Sequence, residues 1–136
     1  MKLRSQISFL YYKDLSAAVD FYENVMGLEV ADDQGTCKIY QVDGAAFLGV
    51  VDERYGHCSA PVAEKSSLVT FVADEDEVEE WYRFLKSRNV KMTSDCMHKK
   101  DIGIKAFFFE DPAGYPLEIQ AFLKPELAKR FGQNKD

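Results

Sequence analysis

Donors for a transition metal are scarce in this chain. Of its 136 residues, two are histidine and three are cysteine, whereas zinc-type sites draw on three or four N, S or O ligands. Cys37, Cys58 and Cys96 are odd in number and widely spaced. They make neither a disulfide framework nor a Cys-x-x-Cys zinc site, and reduced thiols are expected. Long hydrophobic runs are also missing. No apolar stretch approaches the roughly 18 residues that a membrane span requires. Met1-Lys2-Leu3-Arg4-Ser5 leads into strand pattern without the apolar core of a signal peptide. A cytoplasmic protein with no membrane partner is the expectation. An excess of positive charge is lacking too: 17 basic residues against 23 acidic give a net charge of -6. Nucleic-acid binding rests on basic footprints, so no nucleic-acid partner is expected. A cationic small ligand suits the same balance.

What is present belongs to a globular fold. The hydrophobic fraction of 46% beside 29% charged residues allows a sizeable core in a chain of single-domain length. Residues 5–12 alternate like a strand. Asp14 then opens an amphipathic helix with Leu15, Val19, Tyr22 and Met26 at helical spacing, and Gly27 closes it. Strands follow at 28–30, 37–42 and 45–51, the last two flanking the hairpin signal Asp43-Gly44. After the small-residue linker 59–63 the order begins again. A strand spans 68–73. Asp74 opens a helix with Val78, Trp81, Tyr82 and Leu85 on one face, and Asn89 is placed for a left-handed cap. Strands at 91–93, 104–109 and 116–122 complete the second half.

The two halves read as a structural repeat, because Asp14, Phe21 and Tyr22 recur sixty residues later as Asp74, Trp81 and Tyr82 in the same strand-to-helix context. The spacing of Trp81 and Tyr82 with Val78 and Leu85 is the stripe that packs a helix on a sheet. Acidic residues 74–77, 79 and 80 suit a helix N-terminus and its solvated face. The expected fold class is α+β: two βαβββ modules at 5–58 and 64–123, forming a curved mixed sheet with an open cup and the helices on its outer face. Together they make one structural domain. Residues 124–136 are a C-terminal tail with a short helix at 124–131 and a polar end.

The second strand pair supplies the most specific motif. Asp111-Pro112-Ala113-Gly114-Tyr115 is a tight turn between two apolar strands, and Leu117-Glu118-Ile119 after it carries one carboxylate. Together with Tyr12-Lys13-Asp14-Leu15, Phe21-Tyr22, Met26-Gly27-Leu28 and the module repeat, it resembles the vicinal oxygen chelate superfamily. That superfamily includes glyoxalase I, fosfomycin resistance enzymes, extradiol dioxygenases and bleomycin resistance proteins. The resemblance implies paired cups that enclose a ligand or a divalent metal. Its metal-ligand positions map onto Ile7, onto Leu68 (or Ser67 with a one-residue slip), onto Leu48 or Gly49, and onto Glu118. Only Glu118 keeps a ligating side chain. No cofactor is therefore expected, and the metal-dependent mechanisms lack their ligands.

The resemblance with strand alternation gives a ligand-binding set of Ile7, Phe9, Tyr11, Leu48, Leu68, Thr70 and Glu118. Glu118 is the candidate catalytic residue: among apolar neighbours, desolvation would favour its protonated form and suit a general base. The alternative is a partly solvated strand carboxylate. Tyr11 either contacts a ligand or fills the cup. His57-Cys58 and Cys96-Met97-His98 are loop residues or pocket rim. Cys96 and His98 could also meet Glu118 across the sheet in a relocated metal site. Two functions follow from different classes: a metal-independent small-molecule binding protein similar to bleomycin resistance proteins, or a glyoxalase I-like lyase or isomerase using Glu118 as base, with or without a divalent metal. A homodimer is the expected assembly, since an open apolar sheet would otherwise stay exposed. Size-exclusion chromatography with light scattering should report about twice the chain mass of 15.5 kDa; a clean monomer at micromolar concentration would count against it.

Overall fold

The computed structural model describes residues 1–55 and 67–135. The linker at 59–63, His57 and Cys58 lie outside the described residues. The chain divides into two compact units, Met1–Ala63 and Glu64–Asp136, each with a sheet of its own. Both sheets are mixed, and the class is α+β as the pattern predicts. Among the described residues no helix is long and apolar enough to cross a membrane.

In the first unit the strands are β1 (Gln6–Tyr12), β2 (Glu29–Asp33), β3 (Cys37–Asp43) and β4 (Ala46–Asp52). They lie in the order β1-β4-β3-β2. β1 runs parallel to β4, and the other pairs are antiparallel. The crossover from β1 contains helix α1 (Leu15–Asp20). Asp14 starts it, accepting hydrogen bonds from the Ala17 N–H at 3.1 Å and the Ser16 hydroxyl at 2.8 Å. These donors hold the Asp14 carboxyl below its usual range. The helix then widens into a π turn over Phe21–Val25, and Gly27 leaves it at φ +70°. The hairpin of β3 and β4 pairs Asp43 with Ala46, so its loop is Gly44-Ala45, one residue beyond the predicted Asp43-Gly44.

The helix-facing side of this sheet is where the first core sits. Leu10, Tyr12, Tyr40, Leu48 and Val50 are buried there, and the Tyr12 and Tyr22 hydroxyls meet at 3.2 Å. Glu23 reaches back to accept from Tyr40 at 2.8 Å and from Lys38 at 2.6 Å. Burial first, then the hydrogen bond to Glu23, pushes the Tyr40 phenol well above its ordinary value. The Lys38 ammonium, bonded to it, holds Glu23 low.

The second unit repeats the order with two differences. Its strands are β5 (Val69–Val72), β6 (Lys91–Met92), β7 (Met97–Lys99), β8 (Ile104–Glu110) and β9 (Pro116–Phe122). They are arranged β5-β9-β8-β6, with β7 also on β8. β5 and β9 are parallel, as β1 and β4 are. The edge strand is interrupted: β6 and β7 pair successive parts of β8, with a break at 93–96. At that break Ser94 Oγ accepts the Phe108 N–H at 2.9 Å, a ladder bond made by a side chain. β7 was not legible as a strand, being three residues, Met97-His98-Lys99, too short for alternation to show.

Helix α2 (Val78–Ser87) buries Val78 and Leu85, while Trp81 and Tyr82 are only half-buried. Tyr82 packs edge-on to Phe107 with ring centroids 5.3 Å apart. Asn89 takes the expected left-handed conformation at φ 58°. Asp74 does not cap the helix, which begins through a 3-10 turn at Glu75–Glu77; its carboxylate instead accepts the Asn134 N–H at 2.6 Å. The polar end of the chain is thus part of the second unit. Helix α3 (Pro125–Arg130) leads to Gln133, which is buried. The Gln133 amide accepts the Phe122 N–H at 2.7 Å and donates to the Phe122 carbonyl at 3.2 Å, extending the ladder beyond the end of β5.

The β8–β9 turn is built on one carboxylate. Asp111 Oδ1 accepts the N–H groups of Ala113 at 3.0 Å and Tyr115 at 2.9 Å. Gly114 takes φ +86°, a conformation that favours glycine. Because Asp111 is 4% exposed, its removal leaves the buried Tyr115 N–H without its acceptor and frees the Ala113 N–H at the surface. Asp111→Ala is expected to cost about 2–4 kcal/mol, read from the midpoint of urea unfolding followed by circular dichroism. A loss below about 1 kcal/mol would show that water replaces the carboxylate.

Candidate functional site

The faces turned away from α1 and α2 carry the site residues, and strand register decides which side chains lie there. In the first unit Ile7, Phe9 and Tyr11 pair with Phe47, Gly49 and Val51 and share the open face. Ile7 is 41% exposed and Phe9 42%. Leu48 does not belong with them. It pairs with Ser8 and Tyr40, which places it with Leu10 and Val50 on the helix-facing side, 1% exposed. Of the two predicted alternatives, Gly49 is the open-face position. Phe9 uses the room: a Cβ built on Gly49 would run into Phe9 Cδ1.

In the second unit the turn sets the register. Asp111 N–H donates to the Tyr115 carbonyl, so Glu110 meets Pro116, Phe109 meets Leu117 and Phe108 meets Glu118. Leu117 and Ile119 point to α2 and are buried, and Glu118 turns to the open face. There Thr70, its partner in the parallel register, donates its hydroxyl to Glu118 Oε1 at 2.7 Å. Glu118 is only 6% exposed, while Leu68, in the coil before β5, is 51% exposed and Val72 on that strand 38%. On the far side of Phe108 from Glu118, the Lys99 ammonium lies 5.9 Å from the centroid of the Phe108 ring, within cation–π range.

Cys96 and His98 do not meet Glu118. Met97 and Lys99 are the residues of β7 paired with Ala106 and Ile104 on the Glu118 side. His98 pairs with Lys105, whose side chain reaches Glu79 of α2 at 3.1 Å. Burial, reinforced by the charge of Glu79, pushes the Cys96 thiol up. The relocated metal site therefore fails on register: the His98 position belongs to the opposite side of the sheet.

The comparisons with known proteins agree with this architecture. The profile of the Glyoxalase/Bleomycin resistance protein/Dioxygenase superfamily matches residues 5–119. The chain belongs to this superfamily. It is 26% identical over 113 residues to Metallothiol transferase FosB from Staphylococcus saprophyticus, an alignment covering 78% of this chain and 68% of that protein. The fosfomycin resistance protein FosX from Listeria monocytogenes superposes with TM-score 0.72 at 17% identity, covering 94% of this chain and 99% of that one. Lactoylglutathione lyase from Agrobacterium tumefaciens superposes with TM-score 0.63 at 24% identity, covering 85% and 90%.

Against the metal sites known from the superfamily, the donor set is poor. Ile7 and Leu68 offer hydrocarbon, and Glu118 stands beside Thr70 and Phe108. Among the described residues no three His, Cys, Asp or Glu side chains converge closely enough to hold an ion. The side chains at these positions do not fit a transition metal. Phe108 was readable in advance, since counting back from the Asp111–Tyr115 turn puts it opposite Glu118; Lys99 carried no such signal.

Phe9 and Gly49 provide a direct check of the first open face. Gly49→Ala should cost about 1–3 kcal/mol by overpacking, and Phe9→Ala in the same chain should recover most of that loss. Denaturant unfolding of the four proteins in this double-mutant cycle reads the coupling. Additive effects would show that the ring does not rest on Gly49.

Proposed function

We propose that this chain is a metal-independent small-molecule binding protein of the superfamily, working as a homodimer in the cytoplasm. It holds an apolar or aromatic ligand against its open faces, with Glu118 and Thr70 as the polar anchor. The observation that carries this reading is the composition of those faces: exposed Ile7, Phe9, Leu68 and Val72 accompany one nearly buried carboxylate that Thr70 already engages. Ligand pockets combine such apolar walls with a few placed polar groups. Relatives named for fosfomycin resistance and for lactoylglutathione lyase support a small organic compound as the partner.

A second reading is favoured by the burial of Glu118. A carboxylate 6% exposed on an open face is also where a lyase or isomerase would keep the base that removes a proton next to a carbonyl. The two readings separate on one substitution. In thermal-shift and calorimetric screens of flat apolar and cationic compounds, Glu118→Gln should change the affinity of the hits severalfold and leave the fold intact. Protein purified without chelator should hold no stoichiometric transition metal, and added metal should not stimulate turnover of the methylglyoxal–glutathione hemithioacetal. Loss of a measurable isomerase or lyase activity in Glu118→Gln, with fold and assembly retained, would make the carboxylate catalytic and end the binding-protein reading.

A further inference from the structure

We propose that the open face of the second unit recognises an aromatic ligand bearing both a cationic and an anionic group, with Glu118 taking the cation, Phe108 stacking on the ring and Lys99 taking the anion. The inference rests on the binding reading above and names its ligand class. Three features place these groups in a row. Phe108 is the direct cross-strand neighbour of Glu118, so their Cβ atoms stand about 5 Å apart. Lys99 pairs with Ile104, further along β8, and its side chain returns along the sheet to set the ammonium 5.9 Å from the Phe108 ring centroid. Ala106, with no side chain beyond Cβ, lies between Ile104 and Phe108 on the same face.

The charges are unevenly used. Lys91 and Glu110, the other charged pair on this face, bind each other at 3.1 Å, and Lys105 on the opposite face is held by Glu79. Lys99 makes no ion pair among the described residues; its ammonium is set against the Phe108 ring. Glu118 is engaged by a neutral hydroxyl and not by a cation. A buried carboxylate and an ammonium without an ion pair among the described residues, carried on the strands either side of the one that bears the half-buried ring, form a complementary surface for a zwitterion. A singly charged ligand would leave one of the two unmatched, and a neutral hydrophobic one both.

Three compounds with the same ring test this: 4-(aminomethyl)benzoate, 4-methylbenzylamine and 4-methylbenzoate, titrated calorimetrically into the full-length protein at fixed ionic strength. The zwitterion is expected to bind about tenfold more tightly than either singly charged compound. Lys99→Met should bring its affinity down to that of 4-methylbenzylamine, and Glu118→Gln down to that of 4-methylbenzoate, with circular dichroism unchanged in both variants. A zwitterion that binds no better than 4-methylbenzylamine, or an affinity indifferent to Lys99→Met, overturns the inference. If Glu118→Gln still weakens 4-methylbenzylamine in that case, the binding reading survives alone. Absence of millimolar binding by all three also overturns the inference, and the compound screen with Glu118→Gln then decides the broader reading independently.

Discussion

The carboxylate of Asp111 fixes more of this protein's chemistry than any residue on the open faces. By collecting the N–H groups of Ala113 and Tyr115 it closes the β8–β9 turn at one length. A hairpin of fixed length has one register. Everything on β9 follows: Leu117 and Ile119 enter the core under α2, and Glu118 between them can only face away from it. A slip of one residue would bury a carboxylate against α2 and expose two core side chains. The apolar packing of Leu117, Ile119, Phe107 and Phe109 therefore enforces the same register that the turn specifies, and Glu118 is held in place without taking part in the core.

Much of this was legible in the sequence because it rests on local rules. Alternation put Ile7, Phe9 and Tyr11 on one face, and Asp14, Gly27 and Asn89 marked helix ends through side-chain capping and left-handed backbone. What escaped the reading depends on contacts distant in sequence. Asp74 looks like Asp14 in its own stretch of chain, yet its acceptor is occupied by Asn134, sixty residues away. Gln133 sits in a polar tail and still completes the ladder at Phe122. The error at Leu48 is of another kind. The family correspondence left two adjacent positions open, and adjacent positions on a strand point to opposite faces, so only the pairing of Leu48 with Ser8 decides between them.

The two units also show how a repeat diverges where divergence is cheap. The inner strands keep the same pairing in both, parallel for β1–β4 and β5–β9, antiparallel for β3–β4 and β8–β9. The edge strands differ. β2 absorbs an irregularity between Val30 and Asp32 and continues, whereas its counterpart is cut into β6 and β7, with Ser94 bridging the gap through its hydroxyl. An edge strand has one neighbour, so a break there costs few ladder bonds. That break shifts β7 by two residues along β8, which brings Lys99 opposite Ile104 and nearer Phe108 but, because side chains alternate with a period of two, leaves His98 on the face away from Glu118.

The loss of metal donors fits the same economy. Ile7 and Leu68 stand at 41% and 51% exposure, so neither is held by the core, and imidazoles or hydrocarbons there would leave the packing beneath the sheets unchanged. The fold thus imposes no apolar requirement at these two positions. An aliphatic side chain in water gains nothing by being there; it contributes only when something covers it, at roughly 25 cal/mol per Å² of apolar surface removed from water. Hydrocarbon at both mapped ligand positions, beside a carboxylate kept buried and hydrogen-bonded to Thr70, is a composition that suits the binding proposed above, by exclusion of water and one polar contact.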